Sequence, residues 1–201
     1  MPKYRPNRIH HRGTDINSME EDYKKTKPPT ATIGTWNVRS LSQASKMENI
    51  LQEMKRMKID ILGIAKTFFD GVADFQTILP TTDQRYRLIC SGSDKKRGVA
   101  FILTDESNTT VQSYYTVSDR ITCIRLGTKP VDTTIIQVYA PTNDSPQSEV
   151  EAFYEQLSNV VKLHKTHNDC LVIMGDFNGK VGDIKEEDIV GPFGLGQRNE
   201  N

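Results

Sequence analysis

The run Ile59–Ala65 is short and almost continuously apolar. Such a run suits a strand buried on both faces, and that requires layers of structure above and below it. The chain on its N-terminal side fits this demand. After the breaker Lys27-Pro28-Pro29, a strand is predicted from Ala31 through Ile33, Trp36 and Val38. Met47, Ile50, Leu51, Met54 and Met57 then recur at helical spacing, with Lys46, Glu48, Glu53, Lys55 and Arg56 on the opposite side. One apolar stripe of this kind packs on a core. Strand, amphipathic helix and buried strand together make a β-α-β unit and place the chain in the α/β class.

From Tyr86 the pattern changes to strands without helices between them: Tyr86–Cys90, Val99–Leu103, Val111–Val117, Ile121–Leu126 and Thr134–Tyr139. Antiparallel hairpins connect such strands most economically. The segment Asp94-Lys95-Lys96-Arg97-Gly98 is expected to form a solvated turn, with Gly98 free to take a positive φ. A second helix is predicted after Asp144 and Ser145, with Pro146 in its first turn and Val150, Phe153, Leu157, Val160 and His164 on its buried face. The apolar run Cys170–Met174 then returns the chain to a sheet. The expected order is β-α-β, an antiparallel meander, then β-α-β.

A chain of 201 residues suits one domain with a tail. Residues 1–30 hold almost no apolar run and are expected to be a basic, disordered tail, leaving 31–201 as the domain. The tail carries Lys3, Arg5, Arg8 and Arg12 beside His10 and His11, with no second ligand pair at zinc spacing. With 26 basic and 26 acidic residues the formal charge is zero, which excludes a global attraction to nucleic acid or anionic membrane. Cys90, Cys123 and Cys170 form no CxxC motif, and each sits in an apolar run. They are expected to be buried thiols of an intracellular protein. No segment is long and apolar enough to span a membrane.

Candidate chemistry emerges where three predicted strands end in polar groups: Trp36-Asn37-Val38, Tyr139-Ala140-Pro141-Thr142 and Gly175-Asp176-Phe177-Asn178. Asp-x-Asn after a strand can be an ordinary turn closed by an Asx hydrogen bond. The alternative is an active-site edge, since strand ends of α/β folds are where ligands bind. An Asn, a Tyr, an Asp and a second Asn on one rim supply a neutral metal ligand, a phenol, a base and an amide donor. Phosphoester cleavage, which is mostly positioning, water activation and charge stabilisation, needs those parts.

The segments IGTWNVRSL, IDILGIA, YRLICSG, GVAFIL, VSDRI, IQVYAPTND, VEAFYEQL, IMGDFNGKVG and GPFGLGQRNEN, in this order, resemble the endonuclease/exonuclease/phosphatase superfamily. They are most similar to the endonuclease domains of non-LTR (LINE-type) retrotransposons and the craniofacial development protein 2 group related to them. The resemblance covers Thr32–Asn201. It implies a four-layer α/β sandwich of two mixed sheets flanked by helices, an Mg²⁺ cofactor, and DNA, or RNA, as substrate. By position Asn37 resembles the family's asparagine near the metal, and Tyr139 its phosphate-contacting tyrosine. Asp176 resembles the aspartate that positions or deprotonates water, and Asn178 the asparagine that holds the scissile phosphate.

Two departures accompany the resemblance. The family's metal-binding Glu, in a Ser-Glu-Thr-like triplet after the second strand, is replaced in Ala65-Lys66-Thr67. A hard cation needs carboxylate oxygen, whereas an ammonium has no lone pair. At about 4 Å and an effective dielectric of about 20, an ammonium repels a divalent ion by roughly 8 kcal/mol. The second departure is that the family's terminal Ser-Asp-His-like segment has no counterpart before Asn201, so the domain is expected to lack its C-terminal part. Two functions from different classes follow. One is an Mg²⁺-dependent phosphodiester hydrolase; the other is an inactive retrotransposon-derived domain that retains its fold and weak nucleic-acid or protein binding.

Overall fold

The computed structural model describes residues 30–41, 43–93, 95–165, 169–186 and 189–199, and the fold occupies Ala31–Asn201. The tail's Lys3, Arg5, Arg8, His10, His11 and Arg12 lie outside the described residues. The chain runs β1 (Ile33–Asn37), α1 (Ala44–Met57), β2 (Ile61–Ala65), β3 (Gly71–Leu79), β4 (Gln84–Gly92) and β5 (Val99–Thr104). It continues through α2 (Asp105–Asn108), β6 (Val111–Ser118), β7 (Ile121–Leu126), β8 (Thr133–Tyr139), α3 (Gln147–Lys165) and β9 (Cys170–Asp176). The strands form a 5-stranded sheet, β1-β2-β5-β4-β3, and a 4-stranded sheet, β6-β7-β8-β9. The pairs β1/β2 and β8/β9, each joined through a helix, are parallel, and the remaining pairs are antiparallel.

The alternation of side chains along each strand sorts the apolar residues into layers. Leu62, Ile64, Leu88 and Ile102 of the first sheet receive Ile50, Leu51 and Met54 of α1. On the other face of that sheet, Ile61, Phe101 and Leu103 meet Ile124, Leu126 and Ile135 of the second. Phe153, Leu157 and Val160 of α3 cover Ile121, Cys123, Ile136 and Val138 on the far side. The result is the four-layer α/β sandwich of two mixed sheets. All of β2 is buried, which explains its unbroken apolar run.

The structure adds two elements and corrects two assignments. β3 pairs with β4 along its whole length, from Gly71 opposite Gly92 to Leu79 opposite Gln84. As an edge strand it leaves Val72, Phe75 and Ile78 exposed, so no in-out alternation marks it in the sequence. The short α2 is capped by Thr104, whose hydroxyl accepts from the Ser107 N–H, and it precedes the crossing from the first sheet to the second. Met57, counted in the buried stripe, is 55% exposed because the helix ends there at the left-handed Lys58. Cys170, expected to be buried, is exposed at the start of the edge strand β9.

Cys90 and Cys123 are buried as expected, and burial pushes the Cys123 thiol up to about 12 and the Cys90 thiol upward as well. The thiolate is the reactive species. In the folded chain at pH 8, a chromogenic disulfide reagent is therefore expected to titrate Cys170 rapidly and the two buried thiols only on denaturation. Equal rates for all three would contradict this packing.

Candidate active site

Asn37, Tyr139 and Asp176 are the last residues of β1, β8 and β9. In the register of the second sheet Tyr139 lies beside Asp176, and in that of the first Asn37 lies beside Ala65, the residue before Lys66. Asn37 Nδ2 donates to Asp176 Oδ2 at 2.5 Å, tying the ends of β1 and β9 together across the sandwich. Asp176 Oδ1 accepts the Asn178 backbone N–H at 3.1 Å. The ordinary Asx turn and the candidate site are thus one feature. Asn178 Nδ2 in turn donates to the Ala140 carbonyl at 2.7 Å, holding the loop after β9 to the end of β8. Asn37, Tyr139, Asp176 and Asn178 therefore gather on one rim.

Lys66 stands in this group. Its Nζ is 3.9 Å from Asp176 Oδ2 and 5.2 Å from the centroid of the Tyr139 ring. Simple strand alternation would send its side chain to the α1 face with Ile64. Its φ of 60° turns it over the strand end instead. For a non-glycine residue that left-handed conformation costs on the order of 1 kcal/mol. Neighbouring backbone holds it there: the Ser40 N–H donates to the Lys66 carbonyl at 2.7 Å, and the Thr67 N–H to Gly98 at 3.1 Å.

Arg120, to which the sequence reading assigned no role, supports Tyr139 from the other direction. It is 8% exposed, its guanidinium carbon is 5.1 Å from the Tyr139 ring centroid, and it donates to the Tyr139 carbonyl at 3.0 Å. A second donation, at 2.6 Å, goes to Glu149 Oε1, which Arg97 also approaches at 2.7 Å. Arg97, at the end of the exposed turn Lys95–Lys96, thus adds an ion-pair network to the expected solvated turn. The sequence signal for Arg120 was an arginine directly before the buried strand β7, where a cation needs partners.

The Arg120 hydrogen bond, followed by the nearby positive charge, holds the Glu149 carboxyl below its ordinary pKa. A carboxylate with a depressed folded pKa contributes stability that is complete above its unfolded value of about 4.3. That contribution is lost as pH falls through the lower folded value. Glu149→Gln is therefore expected to flatten the acid limb of the stability curve, read by denaturant unfolding from pH 6 to pH 3. An unchanged acid limb would show that the pair is not maintained in solution.

An open cleft of about 270 Å³ lies along the rim, lined by Thr35, Trp36, Asn37, Gly175 and Asp176. Asn37 Oδ1 is buried at this cleft without a hydrogen-bond partner, as a waiting ligand oxygen would be. The rest of the donor set does not suit Mg²⁺. It consists of the Asp176 carboxylate, already bonded to Asn37 and Asn178, and the Lys66 ammonium where a further carboxylate is needed. Among the described residues no group of three or more His, Cys, Asp or Glu side chains can hold a metal ion. No helix among them is long and apolar enough to cross a membrane.

Residues 34–185, which form this sandwich and carry its rim, match the model of the Endonuclease/Exonuclease/phosphatase family. The chain belongs to that family. It is 38% identical over 169 residues to craniofacial development protein 2 of Bos taurus, across 84% of this chain and 27% of that protein. The chain thus spans about a quarter of the length of this relative. Among solved structures, the endonuclease domain of TRAS1, a telomere-specific non-LTR retrotransposon, superposes with a TM-score of 0.52 at 21% identity, covering 80% of this chain and 67% of that one. The AP endonuclease LMAP from Leishmania major superposes at 0.51 with 13% identity, covering 73% of this chain and 54% of that one. These two likenesses show the fold.

Proposed function

We propose that this chain binds the phosphodiester backbone of nucleic acid through Lys66 and does not cleave it by a metal-assisted route. One observation carries the reading: the Lys66 ammonium sits 3.9 Å from Asp176 and 5.2 Å from the Tyr139 ring, among the residues that resemble the family's phosphate-handling set. A lysine ammonium is a compact point charge suited to phosphate oxygen. It supplies the attraction that a divalent ion would, without lowering the pKa of a bound water. In this reading Tyr139 and Asn178 orient the bound phosphate. Asp176 keeps Asn37 and Lys66 in place and has no metal-activated water to deprotonate. DNA, or RNA, is the ligand class, in keeping with a retrotransposon endonuclease and an AP endonuclease among the structural neighbours.

A second reading, an Mg²⁺-dependent phosphodiester hydrolase, is favoured by the unpartnered Asn37 Oδ1 and the assembled Asn37, Tyr139, Asp176 and Asn178. If Mg²⁺ were bound, Asn37 and Asp176 would hold it, and it would supply charge stabilisation at the phosphate. A nicking assay on supercoiled plasmid, with Mg²⁺ or with EDTA, separates the two. Retention of plasmid by the protein without nicking in either buffer is expected. Robust Mg²⁺-dependent nicking, absent from an Asp176→Ala preparation, would overturn the proposal in favour of the hydrolase.

A further inference from the structure

Trp36 is the chain's only tryptophan and is 44% exposed, although it lies on a strand of the sandwich. Its position explains the exposure. β1 is the edge of its sheet, and along it Thr35 turns inward to reach Gln137 while Trp36 takes the opposite face. That face is covered by α1 farther along, but Trp36 is not among the residues packed into the α1 cluster. Trp36 instead stays open to solvent at the end of β1, beside the cleft it lines together with Asn37 and Asp176. An exposed tryptophan leaves a large apolar surface in water, and burying it against a flat partner is favourable.

The strand register relates the indole to the cation. Trp36 lies opposite Ile64, and Lys66 is two residues farther along β2. Strand spacing puts the two Cα atoms about 8 Å apart. The positive φ of Lys66 then carries its ammonium around the rim toward Asp176. An exposed aromatic ring and a cation on neighbouring strand ends of one rim match a nucleotide unit with its base on one side of the rim and its phosphate on the other.

We propose that the cleft binds single-stranded nucleic acid, with a base stacked on the Trp36 indole and the adjoining phosphate on Lys66. The proposal rests on the phosphate-binding reading above. A single strand is required because duplex bases are stacked on one another, and an indole reaches only a base that is splayed out. Stacking of this kind tolerates any base, so the site discriminates strandedness more than sequence.

A lone tryptophan makes the test direct, since intrinsic fluorescence then reports Trp36 alone. The intact chain is titrated in EDTA with a thymidine oligonucleotide, with an abasic oligonucleotide of the same length, and with a duplex. The thymidine strand is expected to quench the emission and to bind about tenfold more tightly than the abasic strand. Trp36→Ala, followed by anisotropy of labelled strands, is expected to reduce the thymidine strand to the abasic level and to leave abasic binding unchanged. Saturable binding of the thymidine strand with unaltered emission would overturn the stacking proposal and leave Lys66 binding standing. Tighter binding of the duplex than of the single strand would overturn it as well. Failure of all three polymers to bind would overturn the phosphate reading itself and the stacking with it.

Discussion

Lys66→Glu is expected to weaken binding of a phosphodiester polymer in EDTA by about 2 kcal/mol or more, roughly thirtyfold, because a charge-assisted contact is replaced by a like-charge one. The same change should let Mg²⁺ bind. A glutamate at the end of β2 brings carboxylate oxygens beside Asp176 and the unpartnered Asn37 Oδ1, and a hard cation accepts that donor set. Calorimetric titration with Mg²⁺ reads the gain, and anisotropy of a labelled oligonucleotide reads the loss. Lys66→Met separates charge from shape. It keeps an apolar stem of similar length and should lose polymer affinity without gaining the metal. If Lys66→Glu bound the polymer as the parent does, Lys66 would not be the phosphate contact.

The second large effect falls on Gly175. This residue has a φ of 145°, and a Cβ placed on it would lie 2.0 Å from the Val138 carbonyl oxygen of the neighbouring strand. Backbone cannot yield as a side-chain tip can. Gly175→Ala must therefore strain its own dihedrals or push β9 off β8, one residue before Asp176. Overpacking of about 1–3 kcal/mol and left-handed strain of about 1–2 kcal/mol together suggest a loss of about 3 kcal/mol. In a domain of this size that lowers Tm by roughly 6–12 °C. Thermal unfolding followed by circular dichroism checks it, and a change under 2 °C would mean that the close β8–β9 contact is not present in solution. Displacement of Asp176 should also release Asn37, so polymer binding is expected to fall with stability.

The fold was legible wherever burial imposed a pattern. Ile50, Leu51 and Met54 announced α1, the nearly continuous Ile59–Ala65 announced a strand buried on both faces, observed as Ile61–Ala65, and Phe153, Leu157 and Val160 announced α3. Legibility failed at edges. The exposed Val72, Phe75 and Ile78 of β3 face water, where no periodicity is enforced, and Cys170 at the start of β9 looked internal only because its neighbours are apolar. The candidate site was legible in part. Asn37, Tyr139, Asp176 and Asn178 each close or follow a strand, and strand ends converge by topology. The roles of Arg120 and Glu149 depend on α3 packing beside β7 and β8, a long-range juxtaposition; the arginine before β7 signals that a partner is needed but not which one. The unusual turn of the Lys66 side chain was equally hidden, since its positive φ depends on backbone donors from Ser40 and Thr67 and on the Gly98 carbonyl.

Whether an ammonium takes the place of a metal at this rim is decided by the affinity of the intact chain for a labelled oligonucleotide, measured by anisotropy in EDTA and again in millimolar Mg²⁺ at matched ionic strength. Equal affinities in the two buffers, with the oligonucleotide recovered uncut, are expected if Lys66 holds the phosphate. Binding that appears only with Mg²⁺, or cleavage of the strand once Mg²⁺ is present, would contradict it.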